Sequence, residues 1–174
     1  NRNQWPVMVP HGIYPSAGDD EWVAIACRHD DDWRRLGKVI DLPWCNDSKH
    51  ASVDGRAADQ DRLDELVGTW TRERSKFAIQ GALRDAGVPV AAVLKPQERS
   101  DIDPSTGDFG LWPTVTHTKM GRVRVDGQPV HFSRTDWTIE RGAPCLSEHT
   151  EHVLTTLLGL SRDDVAALRA EGAI

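Results

Sequence analysis

The chain has 174 residues, enough for one domain or one and a half. Its mix of 39% hydrophobic and 28% charged residues is that of a folded globular protein rather than a disordered one. A net charge of −6 excludes a global basic footprint for nucleic acid or an anionic membrane, and no apolar run approaches the ~20 residues that span a bilayer.

Three cysteines, Cys27, Cys45 and Cys145, lie far apart with no CxxC pair, which argues against a disulfide framework or a zinc site. No basic-then-apolar leader opens the sequence, so the expected compartment is the cytoplasm. The seven tryptophans, against three Phe and one Tyr, are scattered from Trp5 to Trp137, which suits packing anchors better than one stacking platform.

In chain order, residues 1–10 show no periodicity. His11 to Cys27, HGIYPSAGDDEWVAIAC, reads as strand, polar turn and strand, with Asp19, Asp20 and Glu21 as solvated turn acids. His29 to Ile40 reads as a helix with Asp30 as cap, acids at its positive end and a Trp33, Leu36, Ile40 stripe. Residues 41–55 are irregular. Arg56 to Arg74 reads as one amphipathic helix, with Leu63, Leu66, Val67 and Trp70 on the buried face and Asp59, Asp61, Asp64 and Glu65 on a solvated one. Ser75 caps a second such helix, stopped by Gly87 and Pro89.

Val88 to Leu94 is strand-like, and Lys95 to Gly110 reads as a connector. Asp126-Gly127, between Arg122–Val125 and Pro129–Phe132, is a hairpin signal. After a linker at residues 140–144, one helix carries Val153, Leu154, Leu157 and Leu158. A second opens on the Ser161/Asp164 capping box. The predicted class is α+β: a small domain over residues 1–88, a linker with a β hairpin over 89–142, and a C-terminal helical segment over 143–174.

Residue chemistry alone yields no self-contained active site. His149 and His152 share a helical face but lack a third metal ligand, so they read as polar first-turn residues and no metal is expected. Cys145 with either histidine lacks a third orienting group. No EF-hand, GxGxxG or P-loop spacing occurs.

Several stretches are more specific. Asn1-Arg2, Pro10-His11-Gly12-Ile13-Tyr14, Gly18 to Ile25, Ala86-Gly87-Val88-Pro89, Gly121 to Val125 and Pro144 to Thr150 follow one another in the order found in the class III CoA-transferases. That is the family of formyl-CoA transferase and crotonobetainyl-CoA–carnitine CoA-transferase. The last stretch resembles the family's P-x-L-G-E-H-[NT], with Ser147 where the family usually has glycine. The terminal GLSRDDVAALRAEGAI also resembles the family.

The resemblance implies the C-terminal part of a longer enzyme, whose missing N-terminal half holds a Rossmann-like large domain and the aspartate nucleophile. No catalytic residue is then expected in this chain, which alone is expected to be inactive. The family's substrate-covering loop falls near Asn1, Arg2, Asn3 and Gln4. These side chains would offer amide and guanidinium donors to a carboxylate or an acyl oxygen.

With His11 in the motif that follows, they form the candidate substrate-binding set, and hairpin 11–27 is expected to hold that loop over the active site. The implied substrates are a coenzyme A thioester, as acyl-CoA, and a carboxylic acid, with no tightly bound cofactor. The implied partners are the N-terminal half of the same enzyme and a second copy in an interlocked homodimer. Leu146, Val153, Leu154, Leu157 and Leu158 would await the absent domain. The alternatives are an α-methylacyl-CoA racemase of the same family and a non-catalytic binding module.

Overall fold

The computed structural model describes Trp5 and residues 7–174, organised as two compact units, residues 1–95 and 96–174. The first unit is built on a three-stranded antiparallel sheet, β1 (His11–Pro15), β2 (Trp22–Ala26) and β3 (Val90–Val93), with β2 in the centre. Ile13 faces Ala24 across one ladder and Ala24 faces Ala91 across the other. The period-2 alternation of a strand then sends Tyr14, Val23, Ile25 and Ala92 to one face.

That inner face is covered by α1 (Asp30–Ile40), α3 (Gln60–Arg72) and α4 (Lys76–Asp85). Val23, Ile25, Leu36, Leu63, Val67, Ile79 and Leu83 are all at most 1% exposed. Each such side chain contributes about 1.5–3 kcal/mol on leaving water, so this cluster is the main stabiliser of the unit. The expected residues Trp33, Leu36 and Ile40 of α1 and Leu63, Val67 and Trp70 of α3 meet here with Ile79 and Leu83 of α4, whereas Leu66, expected on the buried face, is only half-buried.

Two helical expectations need correction. The cap of α1 is His29, in extended conformation, whose Nδ1 accepts from the Asp32 amide at 3.4 Å. Asp30 is inside the helix and bonds Arg56 instead. The long helix expected over 56–74 is two: α2 (Val53–Ala58), capped by Ser52, and α3. The break falls at Asp59, whose carboxylate is drawn to Lys49 Nζ at 2.7 Å and His50 Nε2 at 2.8 Å. Ser75 caps α4 as expected, accepting from the Ala78 amide at 3.2 Å.

The second unit holds the short helices α5 (Pro96–Asp101) and α6 (Pro104–Asp108), where the sequence suggests only a connector. A two-stranded hairpin follows, β4 (Thr114–His117) and β5 (Gly121–Arg124). Its turn precedes Arg122, not at Asp126-Gly127 as expected. Gly121 takes φ +71°, and the His117 ring nitrogen accepts from the amides of Lys119 and Met120.

Pro129 has no amide to give a second strand. The Gly127 amide instead bonds the Leu111 carbonyl at 2.8 Å, and a Cβ at Gly127 would lie 2.6 Å from the Trp137 ring. This glycine serves a close approach, not a turn. The C-terminal part has a helical turn, α7 (Thr150–His152), that widens into a π-type turn over Val153–Leu157. It ends in α8 (Arg162–Ala170), opened by the expected reciprocal Ser161/Asp164 capping box. Among the described residues no helix is long and apolar enough to cross a membrane. The fold class is α+β.

Candidate functional site

The site is built on the face of the sheet that the helices leave uncovered. Alternation along the strands places His11, Ile13, Trp22, Ala24, Ala91 and Val93 there. Ile13 is 55% exposed, Val93 40% and Trp22 39%. Over this face lies an open cleft of about 640 Å³, lined by Trp5, Ile13, Ala24, Pro89 and Val90, with His11 its one ionisable side chain among the described residues. A second cleft of about 720 Å³ lies between β1 and α3 and is polar, with Asp61, Asp64, Glu65 and Arg72 in its walls. His11 and Ile13 line both.

Tyr14 separates this second cleft from the core. Its hydroxyl donates to Asp64 Oδ1 at 2.6 Å. Burial first, then that carboxylate, push the phenol well above its ordinary pKa, so Tyr14 is a fixed donor and not a base. Asp64, expected on a solvated helix face, is committed to this bond.

The segment entering β1 is pinned from behind. Arg56, wholly buried in α2, donates Nε–H to the Val9 carbonyl at 2.7 Å and Nη1–H to the His50 carbonyl at 3.0 Å. Its Nη2–H goes to Asp30 Oδ1 at 2.8 Å, and its plane lies over the Trp33 ring. The Cys27 amide bonds the Pro10 carbonyl at 2.8 Å. His11 thus enters the sheet from a backbone held on both sides. Of the expected binding set, His11 is on the outer face, and Asn1, Arg2, Asn3 and Gln4 lie outside the described residues.

The turn acids are not simply solvated, contrary to expectation. Glu21 accepts from Lys76 at 2.6 Å and Lys95 at 2.7 Å, and those two bonds hold its carboxyl below the ordinary range. Lys76 is only 2% exposed and also donates to the Val93 carbonyl at 3.0 Å. The hairpin end is therefore tied to α4 and to β3. Asp20, at φ +51°, accepts from the Trp22 indole at 2.8 Å.

In the second unit, Glu148 accepts from the Thr118 hydroxyl and the Cys145 amide, both at 2.6 Å, so it organises the chain before α7. Burial and that carboxylate raise the Cys145 thiol pKa, opposite to what a nucleophile requires. Among the described residues, no group of His, Cys, Asp and Glu is placed to hold a metal ion.

Arg56, His50 and Lys76 do structural work that no local pattern announced. The one available signal for Arg56 is its run of small neighbours, Gly55, Ala57 and Ala58, which lets the helix sit close to what it touches.

A sequence model of CoA-transferase family III matches residues 1–150. The chain belongs to CoA-transferase family III. It is 31% identical over 160 residues to the probable CoA-transferase Rv1866 of Mycobacterium tuberculosis, covering 91% of this chain and 20% of that protein. It is 28% identical over 173 residues to succinyl-CoA–D-citramalate CoA-transferase of Chloroflexus aurantiacus, covering 99% of this chain and 42% of the other. Against formyl-CoA:oxalate CoA-transferase of a Bradyrhizobium species the identity is 30% over 146 residues, 82% of this chain and 33% of that one.

The fold matches that of a CAIB/BAIF family protein from Brucella suis with a TM-score of 0.76. Identity there is 22%, over 89% of this chain and 39% of that one. This member of family III thus spans less than half the length of the relatives it matches.

Proposed function

We propose that this chain is the C-terminal portion of a class III CoA-transferase that moves coenzyme A between an acyl-CoA and a carboxylic acid. The observation that carries the reading is the family match over residues 1–150, joined by relatives that are themselves named CoA-transferases.

The nucleophilic aspartate lies in a segment outside this chain. Its carboxylate attacks the thioester, the CoA thiolate leaves, and a mixed anhydride forms. The thiolate then attacks the aspartyl carbonyl, giving an enzyme thioester and releasing the first acid. The acceptor carboxylate reverses these two steps. No atom is gained or lost, and no cofactor beyond the CoA thioester is required.

On this reading residues 1–88 form the small domain, 89–142 the linker and 143–174 the segment that returns to the large domain. Asn1, Arg2, Asn3, Gln4 and His11 contribute donors at the mouth of the active site, where charge develops on a carbonyl oxygen. The outer sheet face and the exposed Leu146, Leu157 and Leu158 lie against the large domain or the second subunit of a cytoplasmic homodimer.

Reconstitution tests this. The complete coding region, expressed as one chain or as two, is assayed with a panel of acyl-CoA donors and carboxylic acids, and enzyme thioester is trapped with hydroxylamine. Transfer that needs both parts supports the reading. Inversion at an α-methyl centre without transfer replaces it with a racemase, and neither activity leaves a binding module.

A further inference from the structure

The second unit contains a histidine held, like His50 in the first unit, between a carboxylate and a backbone carbonyl, but at an exposed position. His131 Nδ1 lies 2.8 Å from Asp136 Oδ2, and His131 Nε2 lies 2.9 Å from the Phe109 carbonyl oxygen. Both partners only accept. An imidazolium has two N–H groups and satisfies both; a neutral imidazole has one, and leaves a nitrogen lone pair facing an oxygen lone pair. The ring is held flat on Trp137, 5.4 Å between centroids and 27° between planes. It meets Phe109 edge-on at 4.7 Å. Stacking on the Trp137 face favours a cationic ring.

The surrounding segment is arranged by the same groups. Asp136 Oδ1 accepts from the Trp137 amide at 2.9 Å, and the Trp137 indole donates to the Val130 carbonyl at 2.8 Å. Residues 130–137 thus close into a small loop of their own. Within these contacts, the hydrogen bond from that loop to the chain just after α6 is the one made by His131 Nε2. The groups that face the imidazole are Asp136 and the Trp137 ring from its own loop and the Phe109 carbonyl and ring from the end of α6. Asp136 is the single titratable one among them.

We propose that His131, protonated on both nitrogens, is a proton-operated clamp that fastens the 130–137 loop to the end of α6. The pKa directions agree with the geometry. Asp136 and then the Phe109 carbonyl raise that of His131 above the ordinary 6.5, and His131 lowers that of Asp136. The clamp therefore holds below the raised histidine value, opens as pH rises through it, and opens in acid as Asp136 takes up a proton. It is independent of the transferase reading.

The test is long-range ¹H–¹⁵N NMR on the ¹⁵N-histidine-labelled chain, with hydrogen exchange over residues 109–137 from about pH 6 to about pH 9, a span that brackets the ordinary histidine value. The expected result is both His131 nitrogens protonated at about pH 6, and protection of residues 130–137 that drops about three- to tenfold as the ring loses its proton. Asp136→Asn, at an exposed position, is expected to move the His131 midpoint down toward the ordinary value and to move the loss of protection with it. A single neutral tautomer at about pH 6, or protection that ignores the His131 titration, overturns the clamp.

Discussion

Arg56 and Val9 are both 0% exposed, and the Arg56 guanidinium donates to the Val9 carbonyl at 2.7 Å across the core of the first unit. One side chain in α2 thereby fixes the backbone that leads into β1 and positions His11. Arg56→Met keeps the volume but removes three donors, leaving the Val9 and His50 carbonyls buried without this partner. The expected loss is about 3–5 kcal/mol, read as a fall in the urea midpoint. Arg56→Lys recovers a part of it, since one ammonium cannot serve all three acceptors. A Met variant as stable as the parent would contradict this role.

Glycines at two helical positions are expected to respond with opposite sign. A Cβ at Gly55 would lie 1.8 Å from the Lys49 carbonyl oxygen, a backbone atom that cannot step aside. Gly55→Ala should cost about 1–3 kcal/mol from overpacking. Gly81 sits within α4 with nothing within 4 Å of its would-be Cβ. Gly81→Ala should gain about 0.5–1 kcal/mol, because alanine loses less backbone entropy in a helix. Paired denaturant curves decide; like signs would show that the Lys49 backbone yields to the added methyl group.

How far these features were legible depends on the range of the forces that set them. The Ser75 and Ser161 caps and the Leu63–Val67–Trp70 stripe depend on neighbours within one helical turn, and the spacing showed them. The break at Asp59 depends on Lys49 and His50, which arrive from another segment. The Asp126-Gly127 signal misled because Gly127 is required under the Trp137 ring, a contact between residues ten apart. His11 was reached through motif order. Its place on an open apolar face could be known only once the β1–β2 register was fixed.

The Glu21 bridge makes an acid limb in the stability profile. Lys76 first and Lys95 second hold this carboxyl below its ordinary 4.5. A carboxyl with a depressed native pKa contributes above the ordinary value, and the contribution fades as pH falls through the lowered one. The thermal midpoint of the parent chain should therefore decline in acid from about the ordinary value of 4.5 downward. Glu21→Gln should be less stable at neutral pH, since Lys76 loses its counter-charge inside the unit, and its acid limb should be flatter. Equal steepness in both proteins would exclude Glu21 from the profile.

Ser147 adopts φ +62°, in the region that favours glycine. The resembled motif has glycine there, which the backbone now explains. A non-glycine residue in that conformation costs about 1–2 kcal/mol, and glycine returns about half of the difference as unfolded-state entropy. Ser147→Gly should raise the stability of the second unit by about 0.5–1 kcal/mol, visible as slower hydrogen exchange over residues 145–152. Faster exchange would show that the serine conformation is not strained.

The outer sheet face should behave differently in the 174-residue chain and in the proposed complete enzyme. Ile13 is 55% exposed, so Ile13→Lys in the 174-residue chain should change stability by no more than about 0.5 kcal/mol. In the proposed complete enzyme the same face is covered by the large domain or the partner subunit, where an unpaired ammonium is expensive to bury. Complementation between the two parts, followed by co-elution and CoA transfer, should then fail at least about tenfold for Ile13→Lys, a factor worth about 1.4 kcal/mol. Ile13→Val should pass, since it keeps the face apolar. Equal assembly by both variants would place the covered surface elsewhere, and attention would turn to Leu146, Leu157 and Leu158 in the second unit.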